Sequence, residues 1–227
     1  MAVSTVIFDW GGTLTPWHAV DPEALWHGIC VQHYPQAEAA DLARAIYLAE
    51  RAVWQGIEDS QQSATLAHVF ERAGVTVPEA LLASYFQAWE PHTFTDPDVP
   101  ALFRELRRRN IRIGVLSNTL WPRSVHDRCF VRDQVLDLID GTVYSSELPW
   151  TKPHPEAFRA AMAAVGEDDP AACVFVGDRP FDDVHGAKGI GMRAVLIQNS
   201  TVPPFEAAVP DATITRLAEL PRYLDHW

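Results

Sequence analysis

Lysine is nearly missing from this 227-residue chain: of its 18 basic residues only Lys152 and Lys188 are lysine, and the rest are arginine. Basic charge is scarce as a whole. Against 30 acids it leaves a net charge of -12, the wrong sign for displacing counterions from nucleic-acid phosphates. No nucleic-acid partner is expected. Cysteine is scarce too. Cys30, Cys129 and Cys173 are odd in number and far apart, so they build neither a disulfide framework nor a metal cluster. They are read as small buried apolar residues. No apolar run approaches the roughly 18 residues of a membrane-spanning helix, and residues 1–9 lack the basic start of a signal peptide. The expectation is a soluble, cytoplasmic protein with no membrane partner. Asn199-Ser200-Thr201 matches a glycosylation sequon, which without secretion is read as noise.

What is present is ordinary globular material: 48% hydrophobic and 21% charged residues, the composition of a packed domain. The length suits one large domain or a core with a smaller insert. A β-branched run, Val3 to Phe8, ends in Asp9, and Gly11-Gly12 and Pro16 then break the pattern. From about Asp21 to Glu90 the chain reads as four helices with no strand. Asp21-Pro22-Glu23 opens the first, with Asp as cap and Pro in the first turn. Leu42, Ala45, Ile46, Ala49 and Val53 give one apolar face of the second. Asp59 or Ser60 is read as the cap of a third helix carrying Leu66, Val69 and Phe70, and Pro78-Glu79 opens a fourth.

After Pro97 strands and helices alternate. Helical stretches are expected over 99–109, 124–138 and 154–165. Strands are expected over 111–116, around 142–145, and over 173–176 and 193–197. This alternation indicates an α/β fold with a Rossmann-like, doubly wound parallel sheet. Residues 17–96 are then an inserted four-helix cap domain, and 1–16 with 97–227 are the core. The insert holds three arginines, eleven acids and no lysine.

In open parallel sheets, ligands bind beyond the carboxyl ends of the strands. Four expected strand ends carry polar groups: Asp9, Ser117, Lys152 and Asp178, with Asp182 and Asp183 close behind. Carboxylates with a backbone carbonyl suit Mg²⁺, a hard cation that prefers oxygen ligands. An ammonium and a hydroxyl beside it suit phosphoryl oxygens. A carboxylate there can attack phosphorus and form an aspartyl-phosphate.

The segments that carry these groups resemble the four motifs of the haloacid dehalogenase superfamily. Phe8-Asp9-Trp10-Gly11-Gly12-Thr13-Leu14-Thr15 is similar to the first. Ser117 in Leu-Ser-Asn-Thr is similar to the second, Lys152 in Thr-Lys-Pro-His-Pro to the third, and Gly177-Asp178 with Asp183 to the fourth. The helical insert resembles the cap of the phosphoglycolate-phosphatase-like subgroup. The resemblance implies that Asp9 is the nucleophile and a Mg²⁺ ligand. Gly11 would add its carbonyl to the metal, and Asp178 and Asp183 would complete the set. Thr13, Ser117, Asn118 and Lys152 would bind substrate, with Ser117 and Lys152 also catalytic. Asp182 ranks lower and Lys188 is structural. The expected partner is a small phosphorylated or otherwise anionic metabolite, and the expected state is a monomer or homodimer.

One position departs from the pattern. The phosphatases of this superfamily carry a second Asp two residues after the nucleophile, as general acid and base, and here Gly11 has no side chain. Such help is worth about two to four decades in rate. His18, on the loop into the insert, reads first as an ordinary surface or core histidine. Trp17 reads as a packing residue. Three other readings follow from Gly11. The first is a phosphate- or metal-binding protein of this fold with little or no turnover. The second is a dehalogenase, which needs no metal to accompany its Asp nucleophile. The third is a phosphonoacetaldehyde hydrolase, which resembles Asp9-Trp10-Gly11-Gly12-Thr13 but needs a cap lysine for its Schiff base. The lysine-free insert has no amine to offer.

Overall fold

The computed structural model describes residues 2–198 and 202–227. The sequon at 199–201 lies outside the described residues. Six strands form one parallel sheet in the order β3-β2-β1-β4-β5-β6. They are β1 (Thr5–Phe8), β2 (Arg112–Ser117), β3 (Gly141–Tyr144), β4 (Cys173–Gly177), β5 (Arg193–Ile197) and β6 (Ala212–Ile214). The doubly wound α/β expectation is met. The three-residue edge strand β6 was not expected from the sequence; so short a run carries little periodicity.

Alternation in β1 decides which residues face which side. Val6 and Phe8 pack into one apolar cluster with Ile113, Val115, Val174 and Val176, while Ile7 joins Phe158, Phe175 and Ala194 on the other face. Every residue of β1 and β4 is buried, as expected of central strands covered on both sides. Helices α5 (Val99–Arg108), α6 (Arg123–Arg132) and α7 (Pro155–Ala164) connect the strands.

Between β1 and α5 lie four helices and no strand: α1 (Pro22–Cys30), α2 (Gln36–Ser60), α3 (Leu66–Ala73) and α4 (Glu79–Trp89). Asp21 caps α1 as expected, its carboxylate accepting from the backbone of Glu23 and Ala24 at 3.0 and 3.1 Å. Asp59 and Ser60 do not cap α3; they are the last residues of α2. That helix stops at Gln61, whose φ of 57° is left-handed. The cap of α3 is Thr65, whose backbone N–H donates to His68 Nδ1 at 3.1 Å. The stretch expected as one helix over 124–138 is likewise broken, because Gln134 adopts φ 57° after α6.

Aromatic rings join the four helices to the sheet. Trp26 of α1 stacks on Tyr85 of α4 at 4.5 Å. The Tyr85 hydroxyl accepts from Trp121 Nε1 at 3.1 Å, and Trp121 packs against Trp10 at 5.8 Å. Backbone bonds add a second seam. Thr151 N donates to the Gln61 carbonyl at 2.9 Å, Ser63 N to Pro149 at 3.0 Å, and Leu66 N to Leu120 at 3.0 Å. Cys30, Cys129 and Cys173 are free and buried. No helix among the described residues is long and apolar enough to cross a membrane.

Candidate active site

The strand order reverses at β1, so the carboxyl ends of β1 and β4 are neighbours at the switch point of the sheet, where parallel folds bind ligands. Phe8 is paired with Val115 on one side and Val176 on the other. The next residue, Asp9, keeps its N–H on the Val176 carbonyl at 2.9 Å. Its carboxylate therefore stands beside Asp178, one residue beyond β4.

Asp9, Asp178 and Asp183 each offer a carboxylate oxygen, and these oxygens lie within 4.8 Å of one another. All three residues are buried. Two glycines make room for them. At Gly12, which has φ 84°, a Cβ would stand 2.6 Å from Asp178 Oδ2. At Gly177 a Cβ would meet the Asp183 carboxylate at 2.2 Å. The Gly177→Ala variant is therefore expected to lose about 1–3 kcal/mol of stability and to displace Asp183, which denaturant melts checked against a structure of the variant would show.

Lys152 reaches into this cluster. Its Nζ donates to Asp9 Oδ1 at 2.6 Å and to Asp183 Oδ1 at 2.7 Å. Its backbone is clamped by Asn118: Lys152 N donates to Asn118 Oδ1 at 2.8 Å, and Asn118 Nδ2 donates to the Lys152 carbonyl at 2.9 Å. Burial works against the ammonium, but Asp183 and Asp9 outweigh it and hold the pKa of Lys152 above its ordinary value. Asp183 shifts upward instead. Burial is the main cause, and the like charges of Asp9 and Asp178 add to it against the opposing pull of Lys152. One ammonium does not neutralise three buried carboxylates. The donors of the set are all oxygens, the kind a hard divalent cation takes.

Ser117 is buried at the end of β2, and Thr13 is buried on the loop after β1. The Thr13 hydroxyl has no hydrogen-bond partner among the described residues, and a buried polar atom in that state points to a missing ligand or water. Asp182 stands outside the three-carboxylate cluster, its Oδ2 3.5 Å from Arg179 Nη1. Lys188 pairs with Asp211 at 2.8 and 2.9 Å.

Gly11 is exposed, and a Cβ built on it meets no atom within 4 Å. His18 lies edge-on to His92, with ring centroids 5.0 Å apart. Trp17, expected to pack, is 40% exposed.

Two features escaped the sequence. Arg179, directly after Asp178, brings a second cation to the strand edge. A buried network stiffens the loop after β2. His126 Nε2 and Thr119 Oγ1 are 3.1 Å apart, and Thr119 N donates to Ser145 Oγ at 2.8 Å. Burial lowers the His126 pKa to about 3, so this ring is a neutral structural element. Position next to Asp178 was the only signal for Arg179; nothing in the sequence signals the network.

A parallel sheet with its carboxylates, lysine and serine gathered at the reversal of strand order defines a class: α/β proteins of the haloacid dehalogenase type. Comparison with known proteins agrees. The haloacid dehalogenase-like hydrolase family matches residues 3–191, and the chain belongs to that family. It is 32% identical over 124 residues to a phosphoserine phosphatase of Thermus thermophilus, covering 55% of this chain and 49% of that one. It is 30% identical over 128 residues to a glyceraldehyde 3-phosphate phosphatase of Methanopyrus kandleri, covering 55% and 54%. The chain thus spans about half the length of the curated relatives it matches. Among solved structures, a haloacid dehalogenase-type phosphatase from Thermococcus onnurineus superimposes with a TM-score of 0.69 at 22% identity, over 98% of both chains. The L-2-haloacid dehalogenase of Xanthobacter autotrophicus gives 0.68 at 19%, also over 98% of both. At these identities the likeness is one of fold.

Proposed function

We propose that the protein is a Mg²⁺-dependent phosphatase of small phosphorylated metabolites that works through an aspartyl-phosphate on Asp9. The observation that carries this reading is the buried trio Asp9, Asp178 and Asp183, with Lys152 bonded to two of its members. A dehalogenase needs no such carboxylate cluster. In this proposal Asp9, Asp178, Asp183 and the Gly11 carbonyl hold the metal. When bound, the cation neutralises the carboxylates and draws charge from the phosphoryl oxygens.

The chain's own residues do the rest. Asp9 attacks phosphorus, and the leaving oxygen departs as the carboxylate–phosphorus bond forms. Lys152 turns its ammonium from Asp9 to a phosphoryl oxygen, where Ser117 and Thr13 donate as well. Asn118 has both amide atoms on the Lys152 backbone, so the proposal gives it a positioning role. Water then cleaves the acyl phosphate and restores Asp9. Residues 17–96 act as the cap over this edge, with 1–16 and 97–227 as the core.

The metal assignment has a readout apart from turnover. Mg²⁺ is expected to raise the thermal midpoint of the wild type, by about 2.7 kcal/mol of stability at a hundredfold excess over its dissociation constant. Asp178→Asn is expected to lose that response. Equal midpoints with Mg²⁺ and with EDTA for the wild type would remove the metal from the account. Metal-dependent phosphate release from a panel of phosphomonoesters and acyl phosphates tests the activity itself.

The second reading, a phosphate- and metal-binding protein without turnover, is favoured by the open space at Gly11. It expects binding of Mg²⁺ and of a phosphoryl mimic with hydrolysis at background.

A further inference from the structure

Lys152 ends a loop that is held from the side of the helical insert. In the connection from β3 to α7, the first residues bond to the loop after β2. Thr119 N donates to Ser145 Oγ at 2.8 Å, and Ser146 Oγ donates to the Trp121 carbonyl at 2.6 Å. Residues 148–151 bond elsewhere. The Ser63 N–H donates to the Pro149 carbonyl at 3.0 Å, and the Ser63 hydroxyl donates to the Leu148 carbonyl. Gln62 and Trp150 form an antiparallel bridge. Thr151 N and Thr151 Oγ1 both donate to the Gln61 carbonyl, at 2.9 and 3.3 Å. Among the described residues, every hydrogen bond by which residues 148–151 reach beyond the β3–α7 connection ends on Gln61 or Ser63.

The way α2 ends makes this possible. The last carbonyls of a helix have no partner within it. Gln61, which stops α2 at a φ of 57°, gives its carbonyl to both groups of Thr151. Thr151 is 1% exposed, so parting from Gln61 would leave a buried N–H and hydroxyl unpaired, at full desolvation cost. The same stretch reaches the second loop as well. Leu66 N donates to the Leu120 carbonyl at 3.0 Å, two residues past Asn118, whose amide clamps the Lys152 backbone. Residues 61–66 therefore hold both loops that carry Ser117, Asn118 and Lys152.

We propose that Ser63, with the stretch 61–66 around it, is a positioning element for Lys152. While it is bonded to the two loops the ammonium stays beside Asp9 and Asp183, and when it detaches Lys152 leaves the site. This hold on Lys152 does not depend on turnover, so a failed phosphate assay leaves it standing.

The scarcity of lysine supplies the test. Lys152 and Lys188 are the only lysines of the chain, with side chains 2% and 40% exposed. Brief reductive methylation followed by peptide mapping reads one against the other, and in the wild type it should mark Lys188 and spare Lys152. Ser63→Pro removes both bonds to residues 148 and 149, since proline has neither N–H nor hydroxyl. It should raise the ratio of Lys152 to Lys188 labelling about tenfold. Ser63→Ala loses only the hydroxyl bond and should raise the ratio about threefold, while Ser63→Thr should match the wild type. Leu224→Ala measures general loosening. Leu224 is buried near Pro221, whose carbonyl accepts from Arg109 before β2, at the opposite end of the sheet. That variant should lower the thermal midpoint and leave the ratio as it is. A ratio that Ser63→Pro moves less than about twofold, or that Leu224→Ala moves as far, would overturn the positioning role. Where Ser63→Pro does not fold, Ser63→Ala is held to the same limit.

Discussion

Asp9→Asn is expected to reduce phosphate release by about three decades or more while leaving the fold intact. The exchange conserves shape, and the N–H of residue 9 keeps its bond to Val176. On the proposed reading it removes the charged oxygen that attacks phosphorus, and no neighbour can replace it. Asp178 is held at the end of β4, and Asp183 is fixed by Lys152 at 2.7 Å and by the Arg179 N–H at 2.9 Å. Circular dichroism would confirm the fold, and a phosphate assay would read the loss. Activity within tenfold of wild type would assign the nucleophile elsewhere.

Gly11→Asp is expected to act in the opposite direction. The position is exposed and a new Cβ meets nothing within 4 Å, so a side chain can start there without a clash at Cβ. It would supply a proton to the leaving oxygen and later take one from water, help worth about two to four decades. The gain should fall on esters with poor leaving groups and be small for acyl phosphates, whose carboxylate departs without a proton. Gly12→Asp is the matched control, because there the Cβ would run into the Asp178 carboxylate at 2.6 Å. A Gly11→Asp protein that binds Mg²⁺ and gains nothing on a sugar phosphate would show that acid–base help is not what the wild type lacks.

The fold was legible because its signals are local. Val3 to Phe8 is too β-branched for a helix, and the helical periods of 21–90 admit no strand. What failed was also local. Gln61 and Gln134 take left-handed φ without being glycine, so helix ends at those points carried no sequence mark. The strand-end rule brought Asp9, Ser117, Lys152 and Asp178 to one edge. It could not show that Asn118 is spent on the Lys152 backbone, because that clamp joins residues 34 positions apart. Nor could it show that Arg44, Arg51 and Arg72 are exposed. Such facts depend on which long side chain meets which distant partner, and composition and spacing do not encode that.

On the proposed reading, the missing acid and base also decide which step is slow. In that reading an acyl phosphate loads Asp9 without proton donation, but Gly11 offers no side chain to activate the water that unloads it. The phosphorylated protein should therefore accumulate. The most direct measurement is an acid quench of the protein mixed with radiolabelled acetyl phosphate and Mg²⁺, followed by peptide mapping. The account predicts label on the peptide containing Asp9, absent with EDTA and absent in Asp9→Asn. No label in the wild type, or label that survives Asp9→Asn, would contradict it.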